Sequence, residues 1–251
     1  MTLRAPLACF LALSLAACAT PGTDASRAPA AGIDCHPSPD PDRPQWVVGY
    51  GSLMEDASRQ RTSPRAGAAH PVEIAGFRRG WFARGSSIGF STTYLGVVED
   101  RQARLNAVAY AVDPAELAAT DAREASYCRA RVGPADLTPL ERGFAFPADL
   151  QAWIYVGTPA GIAPPDARFP IVQSYVDVFL SGCLEQEERH AIAGFAAQCV
   201  ETTSDWSAHW VNDRIFPRRP FIHQPRARAI DELLAARLGE LFSRIRIEGG
   251  S

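Results

Sequence analysis

The chain has 251 residues, with 25 Lys and Arg against 28 Asp and Glu and a formal net charge of −3. This near-neutral balance, with no basic run and no basic–aromatic interleaving, argues against a nucleic-acid partner. None of the 6 cysteines stands in Cys-x-x-Cys spacing and the 5 histidines are scattered, so no metal site is expected.

Residues 1–17 carry Arg4 and then an apolar run from Leu7 to Ala17. The run is too short to span a bilayer and fits the hydrophobic part of a secretory signal. It ends Leu15-Ala16-Ala17-Cys18, which resembles the lipobox of bacterial lipoproteins. That resemblance implies cleavage before Cys18, acylation of Cys18, and a membrane anchor facing the periplasm. Ala19, where an aspartate would favour the inner membrane, implies the outer membrane. An ordinary signal peptide cut near Ala19 is the alternative. Residues 18–42, rich in Pro, Ala, Ser and Asp, read as a flexible tether. About 205 residues remain, enough for one domain with a substantial core. An oxidising compartment permits disulfides. Cys183 and Cys199 bracket one helical segment and are the expected pair.

The first element is a strand, Trp46-Val47-Val48, that stops abruptly at Gly49-Tyr50-Gly51-Ser52-Leu53. Glycines in such a turn let backbone N–H groups point inward and approach a bound group closely. A polar loop with a helical turn follows over 55–69. Residues 71–82 alternate apolar and polar and read as a glycine-interrupted strand. Residues 88–99 and 104–112 read as two further strands joined in a hairpin by Asp100-Arg101-Gln102-Ala103. Asp113-Pro114 caps a helix, with Leu117 and Ala118 on its inner face, that runs to Arg123 and Glu124. Strand character returns over 125–132 and again at 151–156.

A helix is expected from Val172 to about Leu184, and a second from Glu185 to Gln198 with acidic residues at its start. Capping residues at 202–205 place Trp206 and Trp210 four apart on one helical face. Arg214, Arg218 and Arg219 form either a solvated face or a clamp to carboxylates of the domain. A last helix, 229–242, lines up Ile230, Leu233, Leu234, Leu238 and Leu241. The fold class is α+β, strands first and helices added afterwards.

Two motifs in this order resemble the γ-glutamylcyclotransferase-like superfamily. Tyr50-Gly51-Ser52-Leu53 is similar to its Tyr-Gly-Ser-Leu signature, and Leu117 to Arg129 is similar to its Leu-Asp-x-x-Glu-Gly-x-Tyr-x-Arg pattern. Gly76-Phe77-Arg78-Arg79, Gly96-Val97-Val98 and Pro170 to Tyr175 fall where the family has corresponding segments. Ala125 replaces the family glycine, and the aspartate is displaced to Asp121, which leaves Glu124, Tyr127 and Arg129 in register.

The resemblance covers about 46–184. It implies a small mixed β-barrel flanked by helices over 43–184, with a helical C-terminal extension over 185–251 packed on it. It also implies conversion of a γ-glutamyl amide to 5-oxoproline and a free amine, without metal or organic cofactor. Glu124 would be the acid/base. Tyr50, Gly51, Ser52 and Leu53 would line the pocket through their backbone, and Tyr175 would close its other side. Tyr127 is either a further pocket residue or a core aromatic.

The chemistry suits those residue types. One carboxylate, its pKa raised by burial at the barrel mouth, can take a proton from the α-ammonium and return it to the leaving amine. Inward N–H groups stabilise the oxyanion without reorganisation. The attack is intramolecular, so a cyclisation-ready shape supplies much of the rate. Ser52 lacks the Gly-x-Ser-x-Gly context of a serine nucleophile, and Gly49-x-Gly51 lacks the Gly-Lys-Ser/Thr that holds phosphate. The alternative function is a non-catalytic envelope lipoprotein that binds γ-glutamyl-type ligands.

Overall fold

The computed structural model describes residues 34–85, 91–218 and 226–248. The expected leader, Cys18, the tether up to residue 33, and Ile88, Arg219 and His223 lie outside them. Among the described residues no helix is long and apolar enough to cross a membrane.

β1 (Gln45–Gly49) is buried along its whole length and lies in the middle of a mixed sheet. It pairs antiparallel with β3 (Thr93–Val112) and parallel with β6 (Gln151–Gly157). β2 (His70–Arg84) lies beyond β3, with the short β5 (Leu137–Pro139) outside it; β4 (Tyr127–Val132) flanks β6 on the other side. The sheet is curled, and the edges β4 and β5 do not pair with each other, so the expected barrel is open. Successive β1 side chains face opposite sides, as the pleat requires. Val47 enters a core shared with the C-terminal helices, while Trp46 and Val48 pack inside the curl with Val72, Ile74 and Leu105. The class is α+β, as expected.

The expected hairpin around Asp100–Ala103 does not form. Both halves belong to the single 20-residue β3, and both pair with β2. Asp100-Arg101-Gln102-Ala103 lacks the glycine or asparagine of a tight hairpin turn. The four residues are taken up opposite Gly76, whose φ of +84° lies where only glycine is unstrained.

α1 (Asp56–Gln60) and α2 (Pro114–Arg123) lie between strands. The inner face of α2 is Glu116, Leu117 and Thr120; Ala118 is exposed, against expectation. The helix expected to end at Leu184 runs on as α3 (Gln173–His190), because 185–190 contain no breaker. The break comes at Ala191, with φ +51°, and α4 (Phe195–Glu201) follows. The boundary drawn at residue 184 thus falls inside a helix.

Trp206 and Trp210 are not helical. Asp205 at φ +61° sends the chain from β8 (Thr203–Ser204) into β9 (Trp210–Asn212), yet the two indoles still stack, centroids 5.0 Å apart. α5 (Ala227–Phe242) matches the expected last helix, and β9 pairs with β7 (Ile171–Val172) on one side and β10 (Arg246–Ile247) on the other. Arg214 is a clamp: its Nε and Nη2 each lie 2.7 Å from the carboxylate of the buried Asp177 on α3, and Nη1 lies 2.9 Å from Asp231 on α5.

Cys183 and Cys199 are bonded, joining α3 to α4. A second bridge, Cys35–Cys128, fastens the last residues of the expected tether to β4. The chain from 34 to 43 then runs along the sheet as a strap. His36 N donates to Arg129 O (2.9 Å) and Asp40 N to Gln151 Oε1 (2.7 Å). The Cys35–Cys128 bridge spans 93 residues of sequence, so it removes much disorder from the unfolded chain. The double variant Cys35→Ser/Cys128→Ser should lose about 2–4 kcal/mol in urea unfolding. Alkylation of residues 34–248 should label cysteine only after reduction; label on native Cys35 would refute the bridge.

Candidate active site

At the end of β1 the chain turns so tightly that only glycine fits. A Cβ on Gly49 would lie 2.8 Å from Leu53 Cβ, and one on Gly51 would lie 2.9 Å from Tyr175 Oη. Residues Ser52–Met54 form one 3₁₀ turn, closed by Met54 N donating to Gly51 O at 3.0 Å. The first N–H groups of such a turn have no acceptor within it. This makes the Tyr50–Leu53 backbone a donor-rich edge.

Three arginines hold that edge. Arg79 on β2 is fully buried, yet among the described residues no carboxylate pairs with it. It donates to Tyr50 O (3.1 Å), Asn106 O (2.8 Å), Asn106 Oδ1 (3.0 Å), Cys199 O (3.0 Å), Thr202 Oγ1 (2.8 Å) and Thr203 Oγ1 (2.8 Å). Its guanidinium also lies over the Phe179 ring, 4.8 Å from the centroid. Burial pushes its pKa down to about 9, so the group is still a cation at neutral pH. Arg59, also buried, pairs with Asp56 and donates to Leu53 O at 3.3 Å. Arg123 donates from Nη2 to Ser52 Oγ (3.0 Å) and from Nη1 to Ser58 O (3.0 Å) and Thr62 Oγ1 (2.8 Å).

Glu124 arrives from the other side. Asp113 Oδ1 accepts from Glu116 N (2.8 Å) and Pro114 occupies the first turn, which starts α2. Glu124 is its C-cap, and Tyr127 N donates back to Glu124 O (2.8 Å) to turn the chain into β4. A carboxylate here faces the negative end of the helix dipole. Arg123 offsets that: its Nε lies 3.1 Å from Glu124 Oε1, on a side chain only 18% exposed.

Tyr50, Gly51, Ser52, Leu53, Glu124, Tyr127 and Tyr175 all line one cleft, together with Val48, Leu95 and Tyr155. It encloses about 330 Å³ of empty space, its open mouth included. Tyr50 contributes backbone rather than hydroxyl, since its Oη donates to Tyr155 O at 2.6 Å. Tyr175 packs edge-on against Tyr94 and Trp81, with ring centroids 4.9 and 5.9 Å away. Tyr127 Oη donates to Leu95 O at 3.3 Å, which joins β4 to β3 across the cleft.

Sequence reasoning missed Leu95, Tyr155 and all three arginines. Arg123 could have been found, because it stands directly before Glu124. Arg59 sits in a polar loop and Arg79 in an alternating strand, and in both a charged residue ordinarily faces water.

No protein-family model matches the chain, and no curated protein is significantly similar to it. Solved structures are similar in outline. One described as a gamma-glutamyl cyclotransferase has a TM-score of 0.46 at 10% identity, covering 66% of this chain and 92% of that one. An uncharacterized protein from Homo sapiens has a TM-score of 0.47 at 12% identity, with the same 66% and 92% coverage. A yeast gamma-glutamyl cyclotransferase described as specific to glutathione has a TM-score of 0.38 at 13% identity, covering 64% and 98%.

Two measurements test this account. Arg79→Met takes the donor away from six acceptors at once and should cost about 3 kcal/mol in urea unfolding. Burial raises the pKa of Tyr50, Tyr110 and Tyr155 above the usual 10.0, and for Tyr155 the hydrogen bond to Asp121 adds to it. Stability contributed by these phenols is complete below pH 10 and is lost as the pH climbs beyond it, because only the unfolded state ionises there. Arg79, whose folded pKa lies below its ordinary 12.5, acts in the opposite sense above pH 9, one group against three. Phenolate absorbance should therefore show these three tyrosines ionising only as the fold opens; titration of all 6 near pH 10 would contradict their burial.

Proposed function

We propose that the chain is a γ-glutamylcyclotransferase-like enzyme that closes γ-glutamyl amides to 5-oxoproline and releases the amine. The observation that carries this reading is that the Tyr50–Leu53 turn and Glu124, far apart in sequence, line one cleft. The motif resemblance of both segments supports the same assignment.

The substrate's α-nitrogen attacks its own γ-carbonyl carbon. Glu124 takes the proton that the nitrogen must shed, and the C–N bond of the ring forms as the carbonyl oxygen becomes an oxyanion. N–H groups of the Gly51–Leu53 backbone face that charge without needing to reorganise. Collapse of the intermediate breaks the amide C–N bond, and Glu124 delivers its proton to the departing amine. Arg123 keeps the carboxylate and the turn at fixed separation by touching both, through Glu124 Oε1 and Ser52 Oγ. The tyrosine walls exclude water from the folded glutamyl chain, which favours cyclisation over hydrolysis. γ-Glutamyl amino acids and γ-glutamyl amines are the substrate class.

The enzyme works at the cell envelope in this reading, anchored through an acylated Cys18 and facing the periplasm, with the outer membrane as its address. Release of 5-oxoproline should be detectable by chromatography when the domain is given a panel of γ-glutamyl dipeptides and amines. Glu124→Gln should cut the turnover by at least about 10²-fold with its circular dichroism unchanged. Full activity in that variant would remove Glu124 from the mechanism. Calorimetric binding without any turnover in the parent chain would favour a binding lipoprotein instead.

A further inference from the structure

Two features of its place favour the protonated form of Glu124. Its side chain is only 18% exposed, and it caps the C-terminus of α2, where the helix dipole presents its negative end. The other titratable groups lining the cleft, among the described residues, are the phenols of Tyr50, Tyr127, Tyr155 and Tyr175. Tyr110 on β3 lies within electrostatic reach of Glu124, and Arg59 on α1, over the Tyr110 ring, is paired with Asp56. Yet a base that meets the substrate's α-ammonium must arrive ionised, or it has no place for the proton.

The offsetting cation is Arg123, whose Nε lies 3.1 Å from Glu124 Oε1. Adjacent residues at the end of a helix ordinarily diverge, so helical geometry alone does not make this pair. The guanidinium is fixed from the far side instead. Nη1 donates to Ser58 O (3.0 Å) and Thr62 Oγ1 (2.8 Å), and Nη2 to Ser52 Oγ (3.0 Å). All three acceptors are neutral, so they hold the side chain without cancelling its charge. Arg59 and Arg65, by contrast, are matched to Asp56 and Asp113. With the Arg123 side chain 24% exposed, water screens its pair with Glu124 less than it would at an open surface.

We propose that Arg123, held by Ser58 and Thr62, is the positioning residue that keeps Glu124 ionised in the free enzyme. The ionised carboxylate follows from the clamp itself; its task as a base rests on the cyclisation reading. Glu124 takes one proton from the ammonium, becomes neutral, and passes one proton to the departing amine. Each turnover thus returns the carboxylate to its pair with Arg123.

Carbon-13 at the glutamate δ-carboxyls reports the ionisation of Glu124 by NMR without substrate, its signal identified by its loss in Glu124→Gln. Arg123→Met should raise the titration midpoint of Glu124 by about one pH unit or more. Arg123→Lys, which keeps the charge, should hold the midpoint within about half a unit of the parent. Thr62→Val removes one anchor outside the cleft lining and should raise the midpoint by less than Arg123→Met does. The acid limb of kcat/KM for 5-oxoproline release, which reports the free enzyme, should move with the midpoint. An unmoved midpoint in folded Arg123→Met, or in Thr62→Val should Arg123→Met not fold, would overturn the proposal. So would a midpoint moved as far by Arg123→Lys as by Arg123→Met, since a lost shape and not a lost charge would then be responsible. The expected NMR shifts in a chain that releases no 5-oxoproline would uphold the clamp and count against the cyclisation.

Discussion

The fold depends on one buried cation. Taking a guanidinium out of water costs several kcal/mol, and among the described residues Arg79 has no carboxylate to offset it. What offsets it is a closed set of neutral acceptors: the Tyr50 carbonyl at the end of β1, Asn106 on β3, and Cys199, Thr202 and Thr203 at the end of α4 and the start of β8. Such a set tolerates no missing member, because each lost acceptor leaves a charged donor unsatisfied at low dielectric. Residues beyond 184 are consequently part of the site's scaffold. They provide half of the ligation of the arginine that fixes the Tyr50 carbonyl. The Cys183–Cys199 bridge and the Arg214–Asp177 ion pair hold that segment to α3, and Gly182 lets α3 itself approach Met54 and Glu55 closely.

Around the turn the three arginines have different work. Arg79 fixes its start and Arg59 its carbonyl at Leu53, both from inside the core. Arg123 joins two side chains of the cleft wall, the hydroxyl of Ser52 and the carboxylate of Glu124. A carboxylate at a helix C-terminus is electrostatically misplaced, so its presence there needs a compensating cation, and the residue before it supplies one. The geometry of turn and carboxylate is thus set by short links among neighbours rather than by the cleft's occupant, which is the form preorganisation takes.

What could be read from the sequence follows the range of the forces involved. β1, the Asp113-Pro114 helix start, the strand at 151 and the last helix are set by local pattern and capping, and all were legible. The seven residues expected at the site share one cleft because two motifs, each local, fix two ends of it. The errors came where partner and not pattern decides. Residues 100–103 read as a turn, but β2 was long enough to pair with both flanks and Gly76 absorbed the excess. Trp206 and Trp210 have helical spacing, yet the bend at Asp205 brings them together by stacking. Arg59 and Arg79 look like surface residues in any window, since burial of a charge depends on acceptors far away in sequence.

Asp121 shows how a residue beside the site acquires a structural task. In the position three before Glu124 it sits on the outer side of α2, while Thr120 turns inward and donates to the Glu116 carbonyl at 2.8 Å. From there its carboxylate receives the Tyr155 hydroxyl, and Tyr155 in turn offers its carbonyl to the Tyr50 hydroxyl. Tyr155 thus makes two separate hydrogen bonds, its carbonyl to the turn and its hydroxyl to a carboxylate of α2. Burial holds both phenols neutral, and each donates because its partner, a carbonyl or a carboxylate oxygen, can only accept. Loss of the Asp121 carboxylate would be felt first at Tyr155, which also receives the Tyr50 hydroxyl. Through Tyr155 the turn at the end of β1 is thus tied to the helix whose C-cap is Glu124.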